Sequence, residues 1–339
     1  MTAASNAPPS SLLRRLFTRR QSREAAQKRF IGTTVTPLVL YMAFFTLFPL
    51  VWGFSLAFFE YSARRAGSSI LGLGRDNPFI GLGHFRNMLN FSPDAPLEVR
   101  QFHLSIKTTL IFAFVVLPLN LILTLPLAVL IESVHQKAKG IFRTIFFLPV
   151  LAPSVGVGIM WGYIFHPQRG LLNGILSMLQ GKLVGISYTG DPTLFLLGIP
   201  VPLIAVIIAY VWQDLGYNLV IFIAALQGIP ESIKDAARID GVNGWQMFRF
   251  ITVPLLKPTV LLAAVLTMIS SFTVFDIIQV MNQDGGPQDL TRVMVLDIYF
   301  NAFRYQRMGW AAAVSIVLFL LVFSISLIQT RLLRTEWEY

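Results

Sequence analysis

Six long apolar stretches leave this chain few possible folds other than a bundle of membrane-spanning helices. A helix needs about 20 apolar residues to cross the hydrocarbon core of a bilayer. Only 13% of the residues are charged, whereas a soluble domain carries about 25%. We therefore predict an all-α polytopic membrane protein with six transmembrane helices. The predicted spans are residues 30–59, 108–131, 144–165, 196–226, 258–283 and 308–330.

The basic residues orient this bundle. Residues 1–29 contain one acid, Glu24, against seven basic side chains. Basic flanks lie on the cytoplasmic side of a membrane, so both termini are predicted to be cytoplasmic, as is the connection at about 228–257. The long loops at 60–103, 167–195 and 284–307 are then external. We divide the chain into a mobile basic tail, residues 1–29, and a transmembrane domain, residues 30–335. The seven basic residues are Arg14, Arg15, Arg19, Arg20, Arg23, Lys28 and Arg29.

Several function classes are excluded by residues that the sequence lacks. The net charge of +10 is largely explained by the basic tail, so nucleic acid is not a predicted partner, whereas the lipid bilayer is. There is no cysteine and the four histidines are scattered, which gives no support to a metal site. The chain has neither a catalytic constellation nor a Gly-x-x-x-x-Gly-Lys-Ser/Thr loop. We predict that it is not an enzyme and binds no cofactor itself.

The predicted cytoplasmic connection contains a helix–turn–helix pattern. Pro230 suits a first helical turn and Glu231 favours the positive end of the helix dipole, so a short helix is predicted from Glu231 to Asp240. Gly241 is suited to the left-handed residue that ends such a helix. Asn243 can cap a second helix that extends to about residue 250. Pro254 is expected to break the helical pattern after it.

The spacing within this connection resembles the EAA loop of ABC importer permeases. That loop reads Glu-Ala-Ala, three residues, Gly, nine residues, Ile, one residue, Leu-Pro; here Asp235 replaces the Glu and Val253 replaces the Leu. The resemblance implies that a separate ATPase, which binds ATP and Mg²⁺, moves the bundle through this loop. The residues implied in coupling to the ATPase are Glu231, Asp235, Ala236, Ala237, Asp240, Gly241 and Pro254.

Further segments, in the same order along the chain, resemble the carbohydrate branch of that family, the maltose and glycerol-3-phosphate permeases. They are residues 79–82, 148–153 with Trp161, 170–173, 226–230 and 285–287 with Thr291, Gly309, Ala311 and Ala312. The resemblance implies a sugar importer in a bacterial inner membrane. Its partners would be two ATP-binding subunits, an extracytoplasmic solute-binding protein and a second permease, which we expect to be non-identical.

Polar residues within the predicted spans are candidates for the substrate path, because a charge in a membrane is costly and is usually functional. On the fourth span we expect one helix face to carry Tyr210, Asp214, Tyr217 and Asn218. On the fifth span we expect the same of Phe272, Asp276, Gln279 and Gln283. Carboxylates, amides and aromatic rings are groups that a sugar needs from its site. For each position a structural hydrogen bond between helices is the alternative.

Two other functions stay open from the sequence. One is an ABC importer for a non-sugar solute such as a polyamine, an amino acid or a phosphodiester. No Lys or Arg lies in the apolar core of a predicted span, which disfavours a strongly anionic cargo. The other is a proton-coupled secondary transporter with Asp214 and Asp276 as the relay, but this hypothesis leaves the cytoplasmic loop unexplained.

Overall fold

The computed structural model describes residues 29–65 and 76–333. Nearly all of the basic tail, and with it the predictions made for that tail, lies outside the described residues. The chain divides after Ser55 into two compact units, residues 1–55 and 56–339. Apart from helices, the regular structure of the described part is one hairpin of two two-residue strands and one isolated bridge between Phe59 and Phe79, in agreement with the predicted all-α class.

The helices and strands follow one another in a simple order. They are α1 (Arg29–Phe58), α2 (Gly83–Met88), α3 (Leu97–Ser133), α4 (Gln136–Leu151), α5 (Ser154–Ile164), α6 (Leu171–Gln180), β1 (Phe195–Leu196), β2 (Ile199–Pro200), α7 (Val201–Gln227), α8 (Glu231–Ile239), α9 (Gly244–Leu255), α10 (Lys257–Phe272), α11 (Asp276–Met281), α12 (Met294–Tyr299) and α13 (Met308–Leu333).

Four helices are long and apolar enough to cross a membrane unbroken: α1, α3, α7 and α13. Two further spans are bent pairs, with an angle of 99° between α4 and α5 and of 71° between α9 and α10. The described residues thus hold four candidate spans, or six if each bent pair is one span.

The predicted third and fifth spans are wrong as continuous helices. The third breaks at Ala152, which is extended (φ −75°, ψ 137°) because it precedes Pro153. The fifth ends at Phe272, and a new helix starts only at Asp276, after Phe275 with φ −142° and ψ −64°. A hydrophobicity pattern does not reveal either break, since the apolar composition continues across both.

Helix α7 is the most enclosed of the four unbroken candidate spans, with 56% of its apolar stretch buried. It packs against α3 over one apolar cluster that includes Phe112, Val206 and Ile278 and over a second that includes Leu219 and Phe222. A third cluster joins α3 to α10 and α13. The three clusters make α3 and α7 the frame on which the broken helices are held.

Candidate functional site

Helix α8 forms as the sequence predicts, directly after Pro230. Its charged side chains pair along the helix: Lys234 lies 3.0 Å from Glu231, and Arg238 lies 2.9 Å from Asp235 and 3.6 Å from Glu231. The hydrogen bond from Lys234 lowers the pKa of the exposed Glu231 carboxyl. The ion pairs align the acidic and basic side chains of α8 along one exposed face of the helix.

The end of α8 is a glycine-dependent turn. Gly241 has φ +74°, and the amides of Gly241 and Val242 donate to the carbonyls of Arg238 (3.1 Å) and Ala237 (3.0 Å). These two bonds define a Schellman motif, in which the residue after the cap is left-handed. The predicted left-handed cap is confirmed, and Asp240 is the exposed C-cap residue before it.

Asn243 starts α9 as predicted, through a reciprocal cap. Its side-chain Oδ1 accepts a hydrogen bond from the backbone N–H of Gln246. Its own backbone N–H donates to the side-chain Oε1 of Gln246, and both distances are 2.9 Å. Pro254, however, does not break the pattern: the helix passes through a π-helical segment, Met247–Thr252, and continues to Leu255. The wider π turn precedes the proline, whose missing N–H is then tolerated, and the chain bends at Leu256 instead.

The surface of α8 and α9 carries large apolar side chains that the sequence analysis did not single out. Ile239 is 87% exposed, Trp245 68% and Phe250 70%, while Ala237 is buried and Ala236 is exposed. Exposed aromatic and aliphatic groups of this size mark interaction surfaces. Their signal in the sequence was apolar residues within an otherwise polar connection. The α7–α10 connection (residues 228–257) is therefore a preformed surface with an apolar centre.

A chain of hydrogen bonds links α3, α7 and α10 through polar side chains in the candidate spans. Asn120 Nδ2 donates to Asp214 Oδ2 at 2.8 Å. Asn218 Nδ2 donates to Asn120 Oδ1 and to Thr267 Oγ1, both at 2.8 Å. The Thr124 hydroxyl donates to the Asn120 carbonyl at 2.7 Å. Asn120, Thr124 and Thr267 were missed from sequence, although each is a polar residue inside an apolar run.

The four residues predicted to share a face of α7 lie in one continuous helix, at the spacing that places them on one side of it, but they differ in burial. Asn218 is fully buried, Asp214 and Tyr210 are half-buried, and Tyr217 is 47% exposed. Tyr210 packs edge-on against Phe112 at 5.2 Å between ring centroids. Neighbouring helices cover one side of α7 more than the other, so positions separated by less than a turn differ in burial.

The face predicted for the fifth span does not exist, because the helix breaks within it. Phe272 is fully buried in the apolar core, and Asp276 is exposed at the first turn of α11. Gln279 is half-buried, with an Oε1 that finds no partner in the described structure. Among the hydrogen bonds of the described residues none joins Asp276 to the chain that contains Asp214, so the geometry does not favour a relay between these acids.

The break between α4 and α5 is held by a side chain that was also missed from sequence. At the α4–α5 break, Gln213 Nε2 on α7 donates to the Ala152 carbonyl at 2.9 Å and to Ser154 Oγ at 3.3 Å. Helix α5 packs on α11, where a Cβ on Gly158 would lie 3.0 Å from Val280. Broken helices within a membrane are tolerated where they line a protein cavity, and they commonly form substrate sites in transporters.

Comparison with protein families finds a match that covers the second part of this chain. The profile of the family described as "Binding-protein-dependent transport system inner membrane component" matches residues 124–335, which is more than half of the chain. The match covers the α7–α10 connection, both helix breaks and the last span.

Individual relatives are similar over most of their length. The lactose transport system permease protein LacF of Rhizobium radiobacter is 30% identical, over 87% of this chain and 91% of the relative. The trehalose/maltose transport system permease protein MalF of Thermococcus litoralis is 34% identical, over 76% and 81%. The sn-glycerol-3-phosphate transport system permease protein UgpA of Agrobacterium fabrum is 32% identical, over 85% and 90%.

The fold is also known from crystal structures. A chain of a bacterial ABC transporter involved in the import of the acidic polysaccharide alginate superposes with a TM-score of 0.75 at 22% identity, covering 94% of this chain and 100% of that one. A structure of a bacterial alginate ABC transporter in complex with an alginate pentasaccharide-bound periplasmic protein gives a TM-score of 0.74. At this identity the likeness establishes the fold.

Proposed function

Because the chain belongs to the family of binding-protein-dependent transport system inner membrane components, we propose that it is the permease subunit of an ABC importer for a neutral sugar or polyol. It is a multi-pass inner-membrane protein of a transport family. The observation that carries the proposal is the α7–α10 connection, a capped helix pair with an exposed apolar centre, in a chain that has no phosphate-binding loop of its own.

The α7–α10 connection is the docking site for a separate ATPase in this proposal. Side chains such as Ile239 and Trp245 insert into a groove of the ATPase, and the ion-paired face of α8 orients the contact. Because ATP–Mg²⁺ is bound by that partner, the chain is not itself an enzyme. This assignment places the connection in the cytoplasm, which agrees with the basic tail on the same side.

The cargo class follows from the polar groups within the candidate spans. Asp214 offers a carboxylate that is half-buried and fixed by Asn120, and amide side chains such as Gln213 stand beside it on α7. A carboxylate and an amide oxygen accept hydrogen bonds from hydroxyls, and the negative charge of the carboxylate repels anions. The buried Arg292, which lies between α11 and α12, is neutralised by Asp289 and Asp297, each 3.0 Å away. A neutral, hydroxyl-rich solute is the cargo that this charge pattern favours.

The complete importer then needs further subunits. We expect two copies of the ATPase, a second and non-identical permease, and an extracytoplasmic solute-binding protein that delivers the sugar. The names of the relatives support this composition in part, since LacF and MalF are permease proteins of sugar transport systems and one fold relative was crystallised with its periplasmic protein.

The test is purification of the tagged chain in mild detergent, after expression with its neighbouring transport genes, followed by reconstitution into liposomes. Mass spectrometry should find a second six-span permease and two P-loop ATPases per complex. Addition of binding protein with a neutral sugar should stimulate ATP hydrolysis and uptake, whereas an acidic oligosaccharide should not. Recovery of the chain without an ATPase, even after cross-linking, would contradict the proposal.

A further inference from the structure

The turn between α3 and α4 carries a carboxylate, Glu132, that the proposed machinery does not yet use. It is the last residue but one of α3, and its side chain is 19% exposed. Lys139 Nζ lies 3.1 Å from Oε2, and Arg143 Nη2 donates to Oε1. Gln227, the last residue of α7, directs its Nε2 at the same Oε1 from 3.5 Å. One carboxylate at the end of α3 thus contacts the first half of α4 and the end of α7.

The end of α7 that Gln227 occupies is close to the start of α8 along the chain. Lys139, which pairs with Glu132, adds only the weakest of the charge effects that lower the pKa of Glu231, after those of Lys234 and Arg238. Only residues 228–230 separate α8 from Gln227 and α7.

Helix α4 stays against α7 all the way from this turn to the helix break. A Cβ on Gly216 of α7 would lie 2.5 Å from the Phe146 carbonyl and 2.9 Å from Phe147 Cα, so the two backbones touch. One turn further on, Gln213 of α7 holds the Ala152 carbonyl at the break itself. Three contacts, at successive positions along α7, join α4 to α7. They involve Gln227, Gly216 and Gln213, and the one nearest to α8, at Gln227, depends on Glu132.

We propose that Glu132 is a positioning residue for energy coupling, which rests on the ATPase-docking role proposed above for the α7–α10 connection. Its carboxylate keeps the start of α4 attached to the end of α7. When the ATPase displaces α8, α4 and α7 then move as one body. The movement is transmitted along α4 to the break at Ala152–Pro153. Without the carboxylate, α8 still binds the ATPase but the start of α4 no longer follows the movement.

The first experiment uses the complete transporter in liposomes and compares Glu132→Gln with the parent. Coupling free energies of this kind change an equilibrium by about fivefold or more, so the sugar transported per ATP hydrolysed should fall by about that factor, while the complex stays assembled and hydrolyses ATP. The matched control is Glu60→Gln, which removes an exposed pair with Arg65 at 3.0 Å and should leave the ratio unchanged.

A second measurement separates this role from the cargo assignment, since it needs nucleotide but no sugar. The chain contains no cysteine, so spin labels can be introduced by Lys137→Cys on α4 and Ser232→Cys on α8, both exposed, with partner subunits also free of cysteine. In the parent the distance between the labels should be the same with and without ATP. In Glu132→Gln it should change with nucleotide.

Three results would overturn the proposal. The first is an unchanged ratio of transport to hydrolysis in Glu132→Gln. The second is a label distance that stays constant in this variant. The third is loss of the ATPase from the complex, which would make Glu132 an assembly residue. Failure of the parent transporter to take up any neutral sugar, with a label distance that responds as expected, would contradict the cargo assignment and leave the role of Glu132 standing.

Discussion

At the scale of single residues, the polar side chains within the candidate spans divide into those that hold helices together and those that face open space. Asn120, Asn218 and Thr267 are fully or almost fully buried and bond one another, so they join α3, α7 and α10. Asp214 stands at the end of the same chain and is half-buried. One network therefore serves both to fix three helices and to orient a single carboxylate.

The structural part of the network predicts a loss of stability in Asn218→Leu. The leucine keeps a similar volume but removes both cross-helix bonds and leaves Asn120 Oδ1 with only the long 3.4 Å hydrogen bond from the Thr124 hydroxyl. Hydrogen bonds between helices in membranes contribute about 0.6 kcal/mol on average and about 1–2 kcal/mol in model peptides. We expect a loss of about 1–3 kcal/mol, measured as a lower unfolding temperature in detergent. Val220→Ala, at an exposed position of α7, is the control.

The oriented carboxylate predicts a loss of transport in Asp214→Asn without loss of assembly. A hydrogen bond to a charged group is worth about 1.5–3 kcal/mol, so uptake of sugar at low concentration should fall about tenfold or more. The control is Asp284→Asn, at an exposed left-handed position outside the spans (φ +58°), where asparagine is tolerated. Full uptake by Asp214→Asn would remove this residue from the path.

At the scale of secondary-structure elements, the shape of the α7–α10 connection depends on its caps. Gly241 has no atom within 4 Å of an added Cβ, so the requirement for glycine comes from its φ of +74° and not from space. A β-branched residue is strongly disfavoured in that conformation, while asparagine is tolerated.

Gly241→Val should therefore misplace α9 relative to α8 and abolish ATP-dependent uptake, at a conformational cost of about 1–3 kcal/mol. Gly241→Asn should retain much of the uptake. Gly244→Ala, at a helical position with free space around it, serves as the control. Equal uptake by the valine and asparagine variants would show that the turn conformation is not required for coupling.

The contact between α4 and α7 is the other element-scale feature open to a direct test. Gly216→Ala would place a methyl group 2.5 Å from the Phe146 carbonyl, and overpacking of this kind costs about 1–3 kcal/mol. We expect a lower unfolding temperature together with weaker coupling, because α4 is displaced. Gly162→Ala on α5 meets no atom within 4 Å and should leave both unchanged; a matching loss there would point to a general intolerance of alanine instead.

At the scale of the whole molecule, the topology makes a prediction about the two sides of the membrane. Single cysteines at Ser232 on α8 and at Lys182 after α6, both exposed, should react with a membrane-impermeant maleimide from opposite sides. Ser232→Cys should be labelled only in inside-out vesicles and Lys182→Cys only in intact spheroplasts. Labelling of both from the same side would contradict the six-span arrangement and the cytoplasmic location of the α7–α10 connection.

The sequence by itself determined the class of fold, most of the span boundaries and the two caps in the α7–α10 connection. These features depend on local physics: apolar length, the basic flank, the Gly241 turn and the Asn243 cap are set by residues within a few positions of each other. The predicted cap and the helix from Glu231 were therefore confirmed. The roles of Asp235, Asp276 and the other predicted site residues stay predictions.

The tertiary structure alone decided which polar residues meet and where the spans break. Asp214 and Asn120 are 94 positions apart in sequence, and Asn218 and Thr267 are 49 apart, so only the packing of α3, α7 and α10 brings them together. The break before Asp276 and the environment of Glu132 likewise depend on neighbouring helices that supply partners for freed backbone and charged groups. In a membrane such groups must find partners inside the protein, and which partner each finds is a property of the assembled bundle.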